Sequence, residues 1–332
     1  ISLKRRFLPL FLIVILGILI FYTWERNYTS TFSGNIMGTT YKVILVDYDQ
    51  DLIEEDIYSS LNSVNQEMST YIDTSSISRL NSSNIGDWIE VSENFIKVAT
   101  FSQQLCIETQ GAFNISIGHF VNFYGFGPPQ VANNHKINKL EELKDQVSCI
   151  SYQVDETKKR IKRINDVYID MSAVAKGFAI DHLSSFFDSL SINSYFIELG
   201  GEIRYKGNKQ KKIPWLAAIE SPDQTNSPIM TLSSKNYKNL SLATSGEYRN
   251  FIELNGDTFS HTIDPQTFKP INKEHISVSV IADNAMKADA LATALNVMGL
   301  KEGLDFSNKN KIKALYIVKE NGEFILKTSK WF

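Results

Sequence analysis

YIDMSAVAKGFAIDHLSSFFDSLSINSYFIELGG, residues 168–201, carries strand, helix and turn signals in one short stretch. The apolar run Tyr168–Met171 predicts a short strand. Ser172 sits where a helix N-cap would, and Ala179, Leu183, Phe186 and Leu190 recur at helical spacing behind it. Tyr195–Leu199 then reads as a second strand that stops at Gly200-Gly201. Taken alone, strand–helix–strand would suit a doubly wound sheet, but the rhythm breaks on either side. Upstream, the strand Tyr41–Val46 runs into a helix marked by Ile53, Ile57, Leu61 and Val64, and Ser92 caps another that ends before Gly111. Downstream come strand-like runs at Trp215–Ile219, Phe251–Leu254 and Ser277–Ala282. Asn284 then opens an alanine-rich helix that stops at Gly299, and Asn321-Gly322 joins Ala314–Lys319 to Glu323–Leu326 as a hairpin. Hairpins mixed with helices favour an α+β fold of mixed sheets with flanking helices.

The chain has 332 residues, 43% hydrophobic and 21% charged, which is globular composition. Its net charge of -3 offers no electrostatic pull on nucleic acid. Lys4, Arg5 and Arg6 precede the uncharged run Phe7–Trp24, which as a helix would be roughly 27 Å long, enough to cross a bilayer core. The basic flank keeps its end in the cytoplasm and puts the remainder outside. The expected plan is a membrane anchor or signal segment over 1–24, a polar tether over 25–35 and one body over 36–332. Cleavage is the weaker reading, because Thr29-Ser30-Thr31 is a poor site. The stretch from about 130 to 163 is polar and reads as surface insertions with a short helix near Leu140. Cys106 and Cys149 lie far apart with no CxxC motif. Buried free thiols are the preferred reading, with one bridge open outside the cytoplasm.

Three segments can carry chemistry. Asp170 followed by a helix start, Lys176 and Gly177 would offer free backbone N–H groups and a cation to a phosphate, or would be an ordinary junction with a surface lysine. Asp289, Thr293 and Asn296 fall at i, i+4 and i+7 and share a helix face. A carboxylate and a hydroxyl one turn apart suit a hard divalent cation if another oxygen joins them, and they equally suit a solvated stripe. His261 stands near Asp264-Pro265 as a base, a phosphate contact or a structural partner of that aspartate. Shorter pieces, Met37-Gly38-Thr39, Met68 to Tyr71 and Gly111 to Asn114, place small or aromatic residues at element ends, and Tyr71 offers a ring for stacking. No dinucleotide fingerprint, Walker loop, nucleophile elbow or zincin motif is present.

Taken in order, MGTTYKV (37–43), MSTY and SRLN (68–71, 78–81), GAFNISIGHFVNFYGFGP (111–128), DMSAVAKGFAIDHL (170–183), ELGGEIR (198–204), ATSGEYRNF (243–251), SHTIDPQT (260–267) and ADALATALNVMG (288–299) resemble the FAD:protein FMN transferase family, often called the ApbE family. The resemblance spans roughly Ile36 to Leu326. It implies a T-fold-like catalytic domain that moves FMN from FAD to a Ser or Thr hydroxyl, releasing AMP. It implies Mg2+ held by Asp289, Thr293 and the Ala173 carbonyl region, and FAD contacts at Met37, Tyr71, Ala112, Phe113, Asn114, Asp170 and Lys176. It also implies His261 as the residue needed for transfer. Acceptors would be subunits of membrane redox complexes, of the sodium-pumping NADH:quinone oxidoreductase or Rnf type, at the periplasmic side of a bacterial inner membrane. An FAD pyrophosphatase and a non-catalytic flavin-binding protein are the alternatives. Three departures stand out: Asn114 and Glu202 where the family usually has Asp, and Phe268 where its DPxTG turn has Gly.

Overall fold

The computed structural model describes residues 29–48, 53–129, 137–223, 227–246, 251–254, 257–271 and 275–332. The anchor expected over 1–24 lies outside these residues. Among those described, no helix is long and apolar enough to cross a membrane.

Strands β1 (Thr29–Ile36) and β2 (Thr39–Val46) lead into helices α1 (Ile53–Met68) and α2 (Ser76–Ser82), strand β3 (Ile89–Glu90), and helices α3 (Glu93–Glu108), α4 (Gly118–Phe123) and α5 (Ile137–Lys144). Then come β4 (Tyr152–Asp155), β5 (Arg160–Arg163), α6 (Ser172–Ser189), β6 (Tyr195–Leu199), β7 (Glu202–Lys206), β8 (Leu216–Glu220), β9 (Pro228–Ser233) and β10 (Asn239–Gly246). The chain closes with β11 (Phe251–Leu254), β12 (Asp257–Ser260), β13 (Ile263–Asp264), β14 (Lys269–Pro270), β15 (His275–Ala282), α7 (Ala285–Lys309), β16 (Lys313–Glu320) and β17 (Glu323–Thr328).

An eight-stranded antiparallel sheet, ordered β1-β2-β6-β7-β10-β15-β16-β17, is the frame. Three of its hairpins turn on two residues that both have positive φ: Met37-Gly38 (52° and 73°), Gly200-Gly201 (62° and 102°) and Asn321-Gly322 (53° and 88°). That turn class matches the natural twist of paired strands. The first two turns lie at the same end of the sheet, since Tyr41 pairs with Leu199. One face packs against α1, α3, α6 and α7 through residues such as Val43, Leu61, Phe95, Phe178 and Leu295. The β8–β9 hairpin covers the other, setting Trp215, Ile219 and Leu232 against Tyr205, Leu242, Leu315 and Ile317.

Several expectations need correction. Most of the expected tether is strand β1, whose polar residues alternate as an edge strand's do, with Gly34 opposite Tyr41. A Cβ at Gly34 would lie 2.7 Å from the Tyr41 ring, so the glycine admits that side chain. Cys106 and Cys149 are joined in a disulfide, Cα to Cα 5.5 Å apart. Gln103 draws the two segments together by donating to the carbonyls of Cys149 (3.1 Å) and Tyr152 (3.0 Å). Tyr168–Met171 is extended but makes only a single bridge, Tyr168 to Ile117. The Asn81 side chain stands in for a neighbouring strand, exchanging 2.8 Å bonds with the Ile169 N–H and carbonyl. Within the expected insertion, β4 and β5 form a three-stranded sheet with β3. Gly299, at φ 81°, breaks the path of α7, which then continues to Lys309.

Candidate active site

All eleven site residues named from the sequence, including Asn114, line one cavity of about 1100 Å³. It opens at the sheet end that carries the Met37-Gly38 and Gly200-Gly201 turns. At its floor, α6 and α7 meet. A Cβ on Gly177 would come within 2.3 Å of the Ala285 carbonyl oxygen and 2.8 Å of Asp289 Cβ, so glycine is required for this approach. The Gly177 N–H donates to Asp289 Oδ2 at 2.9 Å. Asp181 fixes the same contact one turn on, accepting from the N–H groups of Ala285 (2.9 Å) and Met286 (2.8 Å) and so capping α7. It also pairs with Arg204 at 3.2 Å.

Asp289 is 5% exposed, and Thr293, one turn further, is half-buried beside it. Lys176 Nζ lies 4.0 Å from Asp289 Oδ1 and 3.5 Å from Glu202 Oε1. Burial alone would lower the Lys176 ammonium, but Asp289 and Glu202 outweigh it and hold the group above its ordinary range. Burial raises Asp289, with Lys176 and the Gly177 N–H working against it. Glu202 is pushed up to about 8, by burial first and by Asp289 second, against the pull of Lys176. Two buried carboxyl groups thus face one ammonium at the floor.

Asp170 is aimed at the start of α6, where its Oδ1 accepts from the Ser172 N–H at 2.8 Å. The residue at the cap position is Met171, not Ser172, and it makes no side-chain cap bond. Burial raises the Asp170 carboxyl. Its own N–H donates to the Ile115 carbonyl at 2.8 Å, which ties the 111–115 wall to this strand-like segment. In that wall the Asn114 Oδ1 caps the Ser116 N–H at 2.8 Å, while the Phe113 side chain, 1% exposed, is core.

The rim is aromatic. Tyr71, 59% exposed, donates its hydroxyl to the Phe126 carbonyl at 3.0 Å, and the Phe126 ring meets His261 edge-on at 6.4 Å. Asn296, on the face shared with Asp289, does not join the floor. Its amide donates to Ser245 Oγ (3.1 Å) and Thr262 Oγ1 (3.3 Å), tying α7 to β10 and to the segment next to His261. Phe268 has φ 57° and packs its ring, tilted by 34°, against Phe120 at 4.4 Å between centroids, in the turn that follows the His261 segment. Residues 247–250 of the ATSGEYRNF piece lie outside the described residues. Asp181, Asn81 and Glu202 were not singled out for the site. The first two sit inside quoted pieces but act through contacts that no spacing announces, and Glu202 registered only as a departure.

A cavity with a buried acid–base–acid floor beside a helix start, on an α+β body with one large antiparallel sheet, defines a site for an anionic, phosphate-bearing ligand. The ApbE family profile matches residues 37–316. The FAD:protein FMN transferase of Haemophilus influenzae is 34% identical over 310 residues, covering 90% of this chain and 89% of that protein. That of Vibrio cholerae is 35% identical over 298 residues, 88% of each. Among solved structures, the flavin transferase ApbE from Vibrio cholerae, in a histidine-to-glycine variant, aligns with a TM-score of 0.82 at 32% identity over 92% of this chain and 98% of that one. The apo form of Pseudomonas stutzeri flavinyl transferase ApbE gives 0.82 at 27% identity, over 92% and 96%. The chain belongs to the ApbE family.

Proposed function

We propose that this protein transfers FMN from FAD to a serine or threonine hydroxyl of an acceptor protein. The observation that carries the reading is the floor of the cavity: Asp289, Lys176 and Glu202, buried together beside the first turn of α6. In the reaction the acceptor oxygen bonds to the FMN-side phosphorus, the bond from that phosphorus to the bridging oxygen breaks, and AMP leaves with that oxygen. The hydroxyl proton passes to a base, for which His261 on the rim is the candidate. Lys176, beside the first turn of α6, balances the diphosphate charge.

The donor set fits Mg2+. Asp289 keeps Oδ1 clear of the Gly177 bond, Thr293 adds a hydroxyl, and the Ala173 carbonyl region lines the same cavity. Among the described residues, no group of three His, Cys, Asp or Glu side chains could hold a metal alone. When bound there, the ion supplies charge neutralisation for the diphosphate and the departing AMP. The aromatic rim and the Ala112–Asn114 wall would receive the flavin.

The acceptors are subunits of membrane redox complexes, of the sodium-pumping NADH:quinone oxidoreductase or Rnf type. The site faces the periplasm of a bacterial inner membrane, held there by the 1–24 segment. The Lys4–Arg6 flank before an uncharged run supports this orientation, and the disulfide suits an oxidising compartment. Incubation with FAD, Mg2+ and an acceptor subunit should give a covalently fluorescent acceptor and free AMP. Free FMN without acceptor would instead identify an FAD pyrophosphatase, and unchanged FAD a binding protein. His261→Ala should slow transfer about 100-fold and spare FAD binding; a variant that unfolds would give that histidine a structural role.

A further inference from the structure

We infer that Glu202 is a positioning residue that holds the Lys176 ammonium on the phosphate side of the cavity, independently of Asp289. The inference rests on the transferase reading of the same site. The Gly200-Gly201 turn fixes where this carboxylate stands, because Leu199 and Glu202 pair across it as the closing residues of the hairpin. The same turn stands beside the lysine stem: a Cβ at Gly200 would be in ordinary contact with Lys176 Cδ, 3.4 Å away. Glu202 is 5% exposed, with Oε1 3.5 Å from Lys176 Nζ, and its Oε2 has no hydrogen-bond partner among the described residues.

A buried carboxylate with an unpaired oxygen costs stability, and an apolar side chain would pack there at lower cost. Its presence calls for a task. Asp289 already has two: one oxygen holds the Gly177 N–H, and the other is the one left for a cation. A carboxylate that engages a cation loses much of its pull on a neighbouring ammonium. The four-carbon stem of lysine would then be free to leave the diphosphate. Glu202 is the acid that needs no cation and reaches the lysine from the sheet, opposite the helix that carries Asp289.

The test is equilibrium binding of FAD, FMN and riboflavin with Mg2+ present, followed by flavin fluorescence. Because burial raises the Glu202 carboxyl, it is run on the alkaline side, at about pH 8.5. Glu202→Gln should weaken FAD about tenfold and FMN several-fold, and leave riboflavin within about twofold, because only the phosphates feel the lysine. Glu202→Asp, which restores charge one methylene back, should keep FAD within about threefold. In a Lys176→Met background, Glu202→Gln should add less than about twofold. Equal weakening of all three ligands, unchanged FAD affinity, or an undiminished effect in the Lys176→Met background would overturn the inference. Should the Gln variant not fold, the Asp variant decides: a tenfold loss of FAD affinity there would overturn it as well. A native protein that discriminates FAD from riboflavin but transfers nothing to any acceptor would sink the transferase reading and leave the Glu202 assignment to the ligand series.

Discussion

On one face of the eight-stranded sheet, α6 and α7 approach so closely that a methyl group at Gly177 would collide with the backbone of Ala285, and two carboxylates and an ammonium are buried between helices and sheet. On the other face, the β8–β9 hairpin presses Trp215, Ile219 and Leu232 onto Leu242, Leu315 and Ile317, an apolar contact of ordinary kind. The first face accepts the cost of buried charge, and the second supplies apolar burial, with Ile219 and Leu242 also reaching the cavity wall. The buried charge and the Trp215 contact thus lie on opposite sides of the same strands, and substitutions at Asp289 and Trp215 should separate chemistry from stability.

The largest separation is expected at Asp289. Asp289→Ala should lower FMN transfer about a thousandfold with the fold retained, because charge balance at the diphosphate is lost. A variant that still flavinylates an acceptor at the native rate would break the assignment of chemistry to this face. Trp215 is the counterpart. Trp215→Ala removes a side chain that is 3% exposed and donates to the Lys206 carbonyl at 3.1 Å. It should cost about 3–5 kcal/mol in denaturant unfolding, with turnover per folded molecule unchanged. A drop in turnover at low temperature would show that the faces are coupled.

Gly177→Ala lies between these extremes. The 2.3 Å approach to the Ala285 oxygen forces the helices apart, which should cost about 1–3 kcal/mol and also reduce transfer. Loss of stability with full activity would mean that the spacing of α6 and α7 is not what sets the floor. The smallest effect concerns pH. Glu202 rises from 4.5 to about 8 on folding, so between these values the folded state keeps a proton that the unfolded chain has released. Stability then falls as pH rises across that window. Melting temperatures of the native protein and Glu202→Gln should converge toward pH 5 and diverge toward about pH 8, with the native curve the steeper. Parallel curves would remove Glu202 from the account.

Much of the catalytic face is legible in the sequence because it is written in short, local spacings. Asp289 and Thr293 one turn apart, and Asp170 just ahead of a helix carrying Lys176 and Gly177, need no distant partner to be noticed. The hairpin at Asn321-Gly322 and the helix capped by Ser92 are legible for the same reason. What escaped depends on residues far apart in the chain. β1 is polar because it is an edge strand, and only its pairing with β2 tells it from a linker. Asn81 reaches Ile169 across 88 positions, and Asp181 reaches the start of α7 across more than a hundred. Phe268 shows how a departure is accommodated: it does take the left-handed conformation that favours glycine, and its ring gains a packing partner in Phe120.

The Cys106–Cys149 link sits at the root of the Gly111–Asn114 wall, where the Gly111 N–H donates to the Cys106 carbonyl at 2.8 Å. Closing a span of 43 positions removes freedom from the unfolded chain, an advantage of about 4 kcal/mol on the loop-entropy model. Protein kept under reducing conditions would forgo that staple next to the Gly111–Asn114 wall. Preparations for assay should therefore be folded under oxidising conditions.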